Sequence, residues 1–351
     1  MRDLYRFVGK IGNEEDTVVH VNPSLDPKSL MRDGLFIMIA KLFGKKTLVF
    51  FRGWHAEWEE QIDKKWRRLF RIVFGRADAF IVLSEAFKLK LRSWIGDKPI
   101  YLEFAILDDD ALLDFTFSEA LEKRLSATPR RILFISRLIR EKGLYEVIDA
   151  VGLLSAHHPE VELVVAGDGP ELKAAQKYAS DAGYGNIRFI GYVRGDLKTQ
   201  VLRAAYLLCF PTYGEGMPNT VIECMGFGLP VITRPVGGLV DFFQNGVHGY
   251  VTQSKDPQVF ADLIRNLIED RHTYAAMANQ NYNYARMHFK SARAASRLEG
   301  IYKALKDSKA DNENEIAALV SDAIGASSAG RGPAPKQVIH TTLCQQPGKA
   351  K

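Results

Sequence analysis

The chain has 351 residues, 46% hydrophobic and 25% charged, a balance that excludes long disorder over most of its length and leaves room for two domains. Its 47 basic and 42 acidic residues give a net charge of +5, too mild a balance to indicate a nucleic-acid binder. The three cysteines, Cys209, Cys224 and Cys344, are spaced for neither a disulfide scaffold nor a zinc site and fit a reduced, cytoplasmic setting. No apolar run approaches the ~20 residues that cross a bilayer, and the opening residues lack the apolar stretch of a secretory signal.

Taken in chain order, residues 17–21, 47–51 and 79–83 are short β-branched or aromatic runs, and residues 64–74 between them carry helical spacing. Past Pro129 the alternation is cleaner. Residues 131–136, 161–166, 187–190, 206–210 and 230–233 read as buried strands separated by helical segments. Short apolar strands alternating with helices predict an α/β fold with parallel sheets. A boundary is expected near residues 105–130, giving an N-terminal unit over 1–126 and a second over 127–289. A final helix at about 290–306 is expected to return to the first unit. Residues 307–351, rich in Ala, Ser, Gly, Pro, Lys and Gln, are expected to be a disordered tail.

Residues 213–238 carry the strongest chemical signal. A strand ends at Pro211, a Gly-containing loop follows, and Pro218 is preorganised for a helix start. Free amides there would face the cleft at the carboxyl edge of a parallel sheet, where anions bind. Glu215 lies in the loop and Glu223 in the helix, placed to meet a sugar and a ribose diol. At this spacing alone they also read as solvent-facing carboxylates. Arg137 directly follows strand 131–136, and Lys142 opens the next helix. Both are placed to neutralise a diphosphate, or else form a solvated basic turn. Gly167-Asp168-Gly169-Pro170 is a tight turn at a strand edge that would let backbone approach a ligand. It lacks the third glycine of a dinucleotide fingerprint, which argues against a nicotinamide dehydrogenase.

In this order, the pieces from about Arg131 to Phe289 resemble the C-terminal half of glycosyltransferase family 4. Those are retaining enzymes of GT-B fold, built from two facing Rossmann-like domains. The family's E-x7-E motif matches Glu215 and Glu223, its basic pair Arg137 and Lys142, and its GxGP turn residues 167–170. The resemblance implies a nucleoside-diphosphate sugar as donor substrate, with its diphosphate on Arg137 and Lys142 and its ribose on Glu223. It implies that Glu215 and the backbone of Gly216, Met217, Pro218 and Asn219 address the sugar and distal phosphate. Gly167 and Gly169 would border the site, and the Tyr192-Val193 backbone would frame the base. It implies transfer to a glycan or lipid-linked acceptor in cell-surface polysaccharide or glycolipid synthesis. No cofactor and no metal are expected; Asp108-Asp109-Asp110 resembles a metal-binding DxD but lies at the domain junction.

The N-terminal half resembles the family less and is short. The opening part of the acceptor domain is expected to be missing, so a partner chain completing it, or a non-catalytic subunit that only binds nucleotide sugar, is the alternative reading. An epimerase acting on the nucleotide sugar would want more acid–base residues in the cleft than this sequence offers. Where the family often has a histidine after the strand at 48–51, this chain has Arg52, with His55 three residues on as candidate replacement; both are taken as candidate catalytic residues. His20 reads as a structural strand-end residue. Residues 64–76 interleave Lys64, Lys65, Arg67, Arg68, Arg71 and Arg76 with apolar residues. Such a helix suits the anionic inner face of a plasma membrane, or else turns its apolar stripe into the core.

Overall fold

The computed structural model describes residues 2–11, 17–104 and 106–307, with the side chains of residues 2–6 left aside. The tail expected over 307–351 lies outside the described residues apart from Asp307, as does Cys344.

The N-terminal unit opens with helix α1 (Arg2–Ile11) and strand β1 (Val18–Val21). A two-residue pair of strands, β2 (Ser24–Leu25) and β4 (Gly53–Trp54), brackets α2 (Pro27–Leu42) and β3 (Lys46–Phe50). Helix α3 (Ala56–Gln61) runs through a π-helical turn at Ile62–Trp66 into α4 (Arg67–Phe74). Strand β5 (Ala79–Val82), α5 (Glu85–Ile95) and β6 (Ile100–Leu102) complete it. The sheet order is β1-β3-β5-β6, all parallel. Strand β1 is an edge, paired among the described residues only with β3.

Helix α6 (Phe117–Ser126) leads into the second unit. There β7 (Arg130–Ile135), α7 (Leu144–Ser155), β8 (Val161–Ala166), α8 (Leu172–Asp181), β9 (Ile187–Gly191) and α9 (Gly195–Ala204) alternate. Then come β10 (Leu207–Phe210), α10 (Asn219–Gly226), β11 (Val231–Thr233) and β12 (Gly249–Val251). Helices α11 (Pro257–Glu269), α12 (Arg271–His288) and α13 (Ser291–Asp307) close the described chain. The six parallel strands run β12-β11-β10-β7-β8-β9. From β7 the chain builds outward to β9, then returns to the other side of β7 at β10. That reversal leaves a crevice between the carboxyl ends of β7 and β10, the place where ligands bind open α/β sheets.

Local sequence explains the elements. Strands such as β5 and β10 are buried at every position, as parallel strands covered on both faces are. Asp26 caps α2 by accepting from the Ser29 N–H at 3.0 Å, with Pro27 in the first turn. Ser84 caps α5 through the Phe87 N–H at 3.1 Å, and Asp270 caps α12 through the Thr273 N–H at 2.9 Å.

Alternation along the first sheet sends its two faces to different cores. Val49, Phe51, Phe80 and Val82 pack under the helical layer with Phe70, Phe74 and Trp94. Leu48, Phe50, Ile81 and Leu83 instead join the large core that runs through the second unit to Phe289, Ile301 and Leu305. Helix α13 returns to the first unit, where Arg297 donates from Nε to the buried Glu103 carboxylate at 3.1 Å.

Candidate functional site

Beside the β7/β10 reversal, a cavity of about 670 Å³ lies over the carboxyl ends of β7, β8 and β9, lined by Ser136, Arg137, Gly167, Asp168, Gly169, Tyr192, Val193 and Lys198 and bounded on the β10 side by Thr220 of α10. Arg137, Gly167, Gly169, Tyr192 and Val193 of the expected set therefore border one cavity. Arg137 follows β7 directly, is exposed, and its guanidinium has no hydrogen-bond or ion-pair partner among the described residues. A forked donor left free at a sheet edge is a ready site for a phosphate.

Lys142 lies one turn further on and donates to Glu215 Oε1 at 2.5 Å; both side chains are 18% exposed. Thr212 Oγ1 donates to the same oxygen at 3.3 Å. The loop after β10 thus places Glu215 beside the basic turn after β7. Gly216 is stitched to the next loop by the Gly238 N–H at 2.7 Å. Helix α10 begins at Asn219, with Pro218 as its N-cap and no side chain bonded to its first turn. Its first amides are open to a ligand. Glu223, mid-helix, accepts from Lys198 of α9 at 2.6 Å.

The turn glycines also lie close against a neighbouring loop of the chain. At Gly167 (φ +150°) a Cβ would lie 1.9 Å from Ser136 O, and at Gly169 (φ +159°) 2.3 Å from Leu138 O. Their lack of a Cβ permits a close approach to the chain's own β7 loop. Leu138 N–H and Asp168 O pair across it at 2.9 Å. The turn presses the Arg137 loop into position.

On the N-terminal side, Arg52 follows β3. Its Nε donates to Asn22 Oδ1 at 3.2 Å and its guanidinium lies 3.9 Å over the Phe50 ring. Burial lowers its pKa, but from so high a value that it stays charged. Its carbonyl oxygen sits 3.2 Å from where a Gly216 Cβ would be, so the Arg52 backbone abuts the loop that carries Glu215. His55 is the exposed N-cap of α3, where its carbonyl accepts from Trp58 and Glu59 at 3.0 Å. No hydrogen bond or ion pair joins it to Glu215 among the described residues. His20 meets the Tyr302 hydroxyl of α13 at 2.6 Å and stacks on Phe50, while its Nε2 is buried without a partner. Burial, and then the Arg52 charge, lower its pKa. A larger cavity of about 740 Å³ lies along the β1 edge, reaching His20, Asn22 and Arg32. Lys10 also lines it without a partner among the described residues, but it lacks the glycine turn at a strand end and the helix start that accompany Arg137, so the chemistry points to the β7/β10 crevice. Asp109 of the acidic triplet caps α13, accepting from Ser291 Oγ at 2.6 Å. Among the described residues no three His, Cys, Asp or Glu side chains are grouped to hold a metal ion.

Residues 118–284 match the family of glycosyl transferases group 1. The match takes in the whole crevice. Among curated proteins, the putative teichuronic acid biosynthesis glycosyltransferase TuaC of Bacillus subtilis is 29% identical over 238 residues, 67% of this chain and 58% of that protein. The Vi polysaccharide biosynthesis protein VipC/TviE of Salmonella typhi is 34% identical over 118 residues, 33% of this chain and 20% of that one. The chain spans about half the length of the curated relatives it matches. Among solved structures, Anabaena Alr3699/HepE in complex with UDP and glucose superposes with a TM-score of 0.70 at 18% identity, covering 86% of this chain and 81% of that one. The fold is that of the GT-B glycosyltransferases, α/β with parallel sheets.

Several contributors, inside and outside the group 1 match, are not evident in the sequence. Lys198 looks like any surface lysine of a polar helix until α9 folds it onto Glu223. Arg234, 5% exposed, donates to Pro211 O and Gln253 O at 2.9 Å and lies 4.2 Å over Tyr213, which fixes the loop that carries Glu215. A buried arginine after a strand was the one available signal. Asn22 and Tyr302 are recruited only by long-range folding.

Proposed function

We propose that the chain transfers a sugar from a nucleoside-diphosphate sugar to a glycan or lipid-linked acceptor, with retention at the anomeric carbon and without a metal ion, in assembly of a cell-surface polysaccharide or glycolipid. The observation that carries this reading is the unpartnered Arg137 bordering the crevice, beside the Lys142–Glu215 pair and the uncapped start of α10. UDP and glucose occupy the HepE structure, and TuaC and VipC/TviE are named for polysaccharide assembly.

The chemistry follows from charge. As the anomeric bond breaks, positive charge grows on the sugar and negative charge on the departing diphosphate. Arg137, Lys142 and the amides of Gly216, Met217 and Asn219 supply fixed positive potential to that leaving group, which is how preorganised sites lower a barrier. Glu215 stands beside Lys142 where the sugar would lie, and its charge opposes the charge developing there. Glu223, held by Lys198, is oriented for the ribose hydroxyls. Arg52, whose backbone abuts Gly216, and His55 face the acceptor side.

Calorimetric titration of UDP-, GDP- and ADP-sugars into the full chain, followed by assay of donor consumption with a membrane extract as acceptor source, tests the reading. One nucleotide sugar is expected to bind and be consumed. Absence of binding by all three overturns the reading; tight binding without turnover converts it to the nucleotide-sugar-binding subunit.

A further inference from the structure

The outer helical layer of the N-terminal unit, far along the sequence from the donor loop, carries a second feature. Helix α2 and the segment from Trp58 to Phe74 enclose an open groove of about 420 Å³ with no charged side chain in its lining. Its floor is made by Phe70 and Phe74, both buried. Gly34 lets the helices close at the bottom: a Cβ there would lie 2.8 Å from Val73 Cγ1. Its rim is exposed, with Met31 79%, Leu69 51% and Trp66 47% accessible. Leu42 and Ile72 extend the apolar surface at 84% and 57%. The helical stripe of residues 64–74 is therefore both core and surface. Phe70 and Phe74 turn inward, and Trp66 and Leu69 turn out; the π-helical turn at Ile62–Trp66 sets that rotation.

Charge accompanies the groove. At helical spacing, Lys65 and Arg68 precede Trp66 and Leu69 by one residue each, and Arg71 follows one turn on, so cations border the apolar rim. Lys65, Arg68 and Arg71 are exposed and have no ion-pair partner among the described residues, nor has Lys28 at the start of α2. Exposed apolar surface of this extent marks an interaction site. Glu57, exposed beside Trp58, is the one unpaired acidic neighbour among the described residues; an apolar groove bordered mainly by unpaired basic residues matches a surface that offers hydrocarbon and negative charge together.

We infer that this face docks on an anionic phospholipid leaflet, with Trp66, Leu69 and Met31 entering the acyl region, one acyl chain seated in the groove, and Lys65, Arg68 and Arg71 at the headgroups. Interfacial helices bind by this sum of apolar burial and headgroup attraction. The inference stands independently of the sugar-transfer reading, since no residue of the crevice takes part.

The test is co-sedimentation of the full chain with vesicles of one part phosphatidylglycerol to two parts phosphatidylcholine, and with phosphatidylcholine alone. The chain is expected to pellet with the anionic vesicles only, and molar salt to release most of it. Lys65→Glu/Arg68→Glu/Arg71→Glu is expected to lower the partition at least about tenfold. Trp66→Ser/Leu69→Ser is expected to do the same, with the thermal transition of the first variant confirming that exposed charge changes leave the fold intact. Acyl chains brominated near the headgroup are expected to quench tryptophan emission in the wild type and not in the serine variant. Equal partition of the charge variant and wild type overturns the inference. So does a wild type that stays soluble with anionic vesicles, including one that light scattering shows to be a dimer dispersed by Leu69→Ser, because the face would then join two copies of the chain.

Discussion

The two sheets of this molecule assemble their cleft-facing residues by opposite routes. In the second unit nearly every such residue follows a strand within a few positions: Arg137 and Lys142 after β7, Gly167 and Gly169 after β8, Tyr192 after β9, Glu215 after β10. Reversal of strand order at β7/β10 gathers these ends into one crevice. In the first unit the four strands of the main sheet run in simple succession, β1-β3-β5-β6, with no reversal among them. Its polar cluster is built by distant segments instead: Asn22 with Arg52, His20 with Tyr302 of the last helix, and Glu103 with Arg297. A crevice made from strand ends is prepared by the sheet itself. The opposite side depends on α13 being docked.

The sharpest way to break this comparison is to move chemistry off the donor loop. Glu215→Gln keeps size and the Thr212 contact but loses the charge facing Lys142. Steady-state kinetics should show kcat reduced by about 10²–10³, with donor KM changed far less, since a contact that strengthens as the anomeric bond breaks acts on the transition state. An unchanged kcat would remove Glu215 from the reacting end.

Next in size is Gly167→Ala. A methyl group 1.9 Å from Ser136 O, at φ +150°, forces the turn away from the Arg137 loop. About 3 kcal/mol of stability should be lost in urea unfolding, through strain and overpacking together. Donor affinity should fall with it, because the displaced loop is the one that carries Arg137. Loss of stability with donor affinity intact would uncouple the turn from the site.

Arg137→Ala follows. Its guanidinium has no partner among the described residues to leave stranded, so the variant should fold normally and bind nucleotide sugar more weakly by about 1.5–3 kcal/mol, the range for a bond to a charged group. Titration calorimetry giving wild-type affinity would place the diphosphate elsewhere.

These donor-side features were also the ones legible in sequence. Runs such as residues 161–166 and 206–210 announced buried parallel strands, and glycine and cation positions came directly after them. The observed strands agree to within a residue or so, because continuous apolar runs leave little choice of boundary. Short elements escaped: β6 and β12, at three residues each, carry too few side chains to show a period, and α1 is a basic segment whose helix packs Phe7 on Phe36. The lysine–glutamate pairs escaped as well. Lys142 and Glu215 are 73 residues apart, and Lys198 and Glu223 are 25 apart on separate helices. Spacing gives the strand end at which a residue sits; the strand order that makes two ends neighbours is a property of the whole sheet.

A milder probe is pH. Burial lowers the pKa of His20, His248 and His288. The folded state then binds fewer protons than the unfolded chain, whose histidines titrate near 6.5. Stability from these groups is therefore fully present above that value and is lost as pH falls below it. The thermal transition should drop by a few degrees between about pH 7.5 and about pH 5.5. A flat profile across that window would show that the three rings are solvated in the folded chain.

The smallest expected effect tests the long-range side most directly. Tyr302 and His20 are 282 residues apart and meet at 2.6 Å, with the imidazole stacked between that contact and Phe50. The other ring nitrogen is already buried without a partner, so removal of the hydroxyl leaves the whole imidazole unpaired. Tyr302→Phe keeps the ring packing and should cost about 1 kcal/mol, the net worth of one hydrogen bond plus the stranded acceptor. In a double-mutant cycle with His20→Ala, most of that cost should vanish once the partner is gone, because residues in direct contact do not add. Neither variant touches the β7/β10 crevice, so nucleotide-sugar affinity should stay within about twofold of wild type, as distant sites with no shared partners do. Acceptor-dependent turnover is where a change should appear, since Arg52 sits beside His20 and its backbone abuts Gly216. If Tyr302→Phe instead weakened donor binding as much as Arg137→Ala, the last helix would be holding the crevice as well as the first sheet, and the division between a side prepared by its own strands and a side that waits for α13 would not stand.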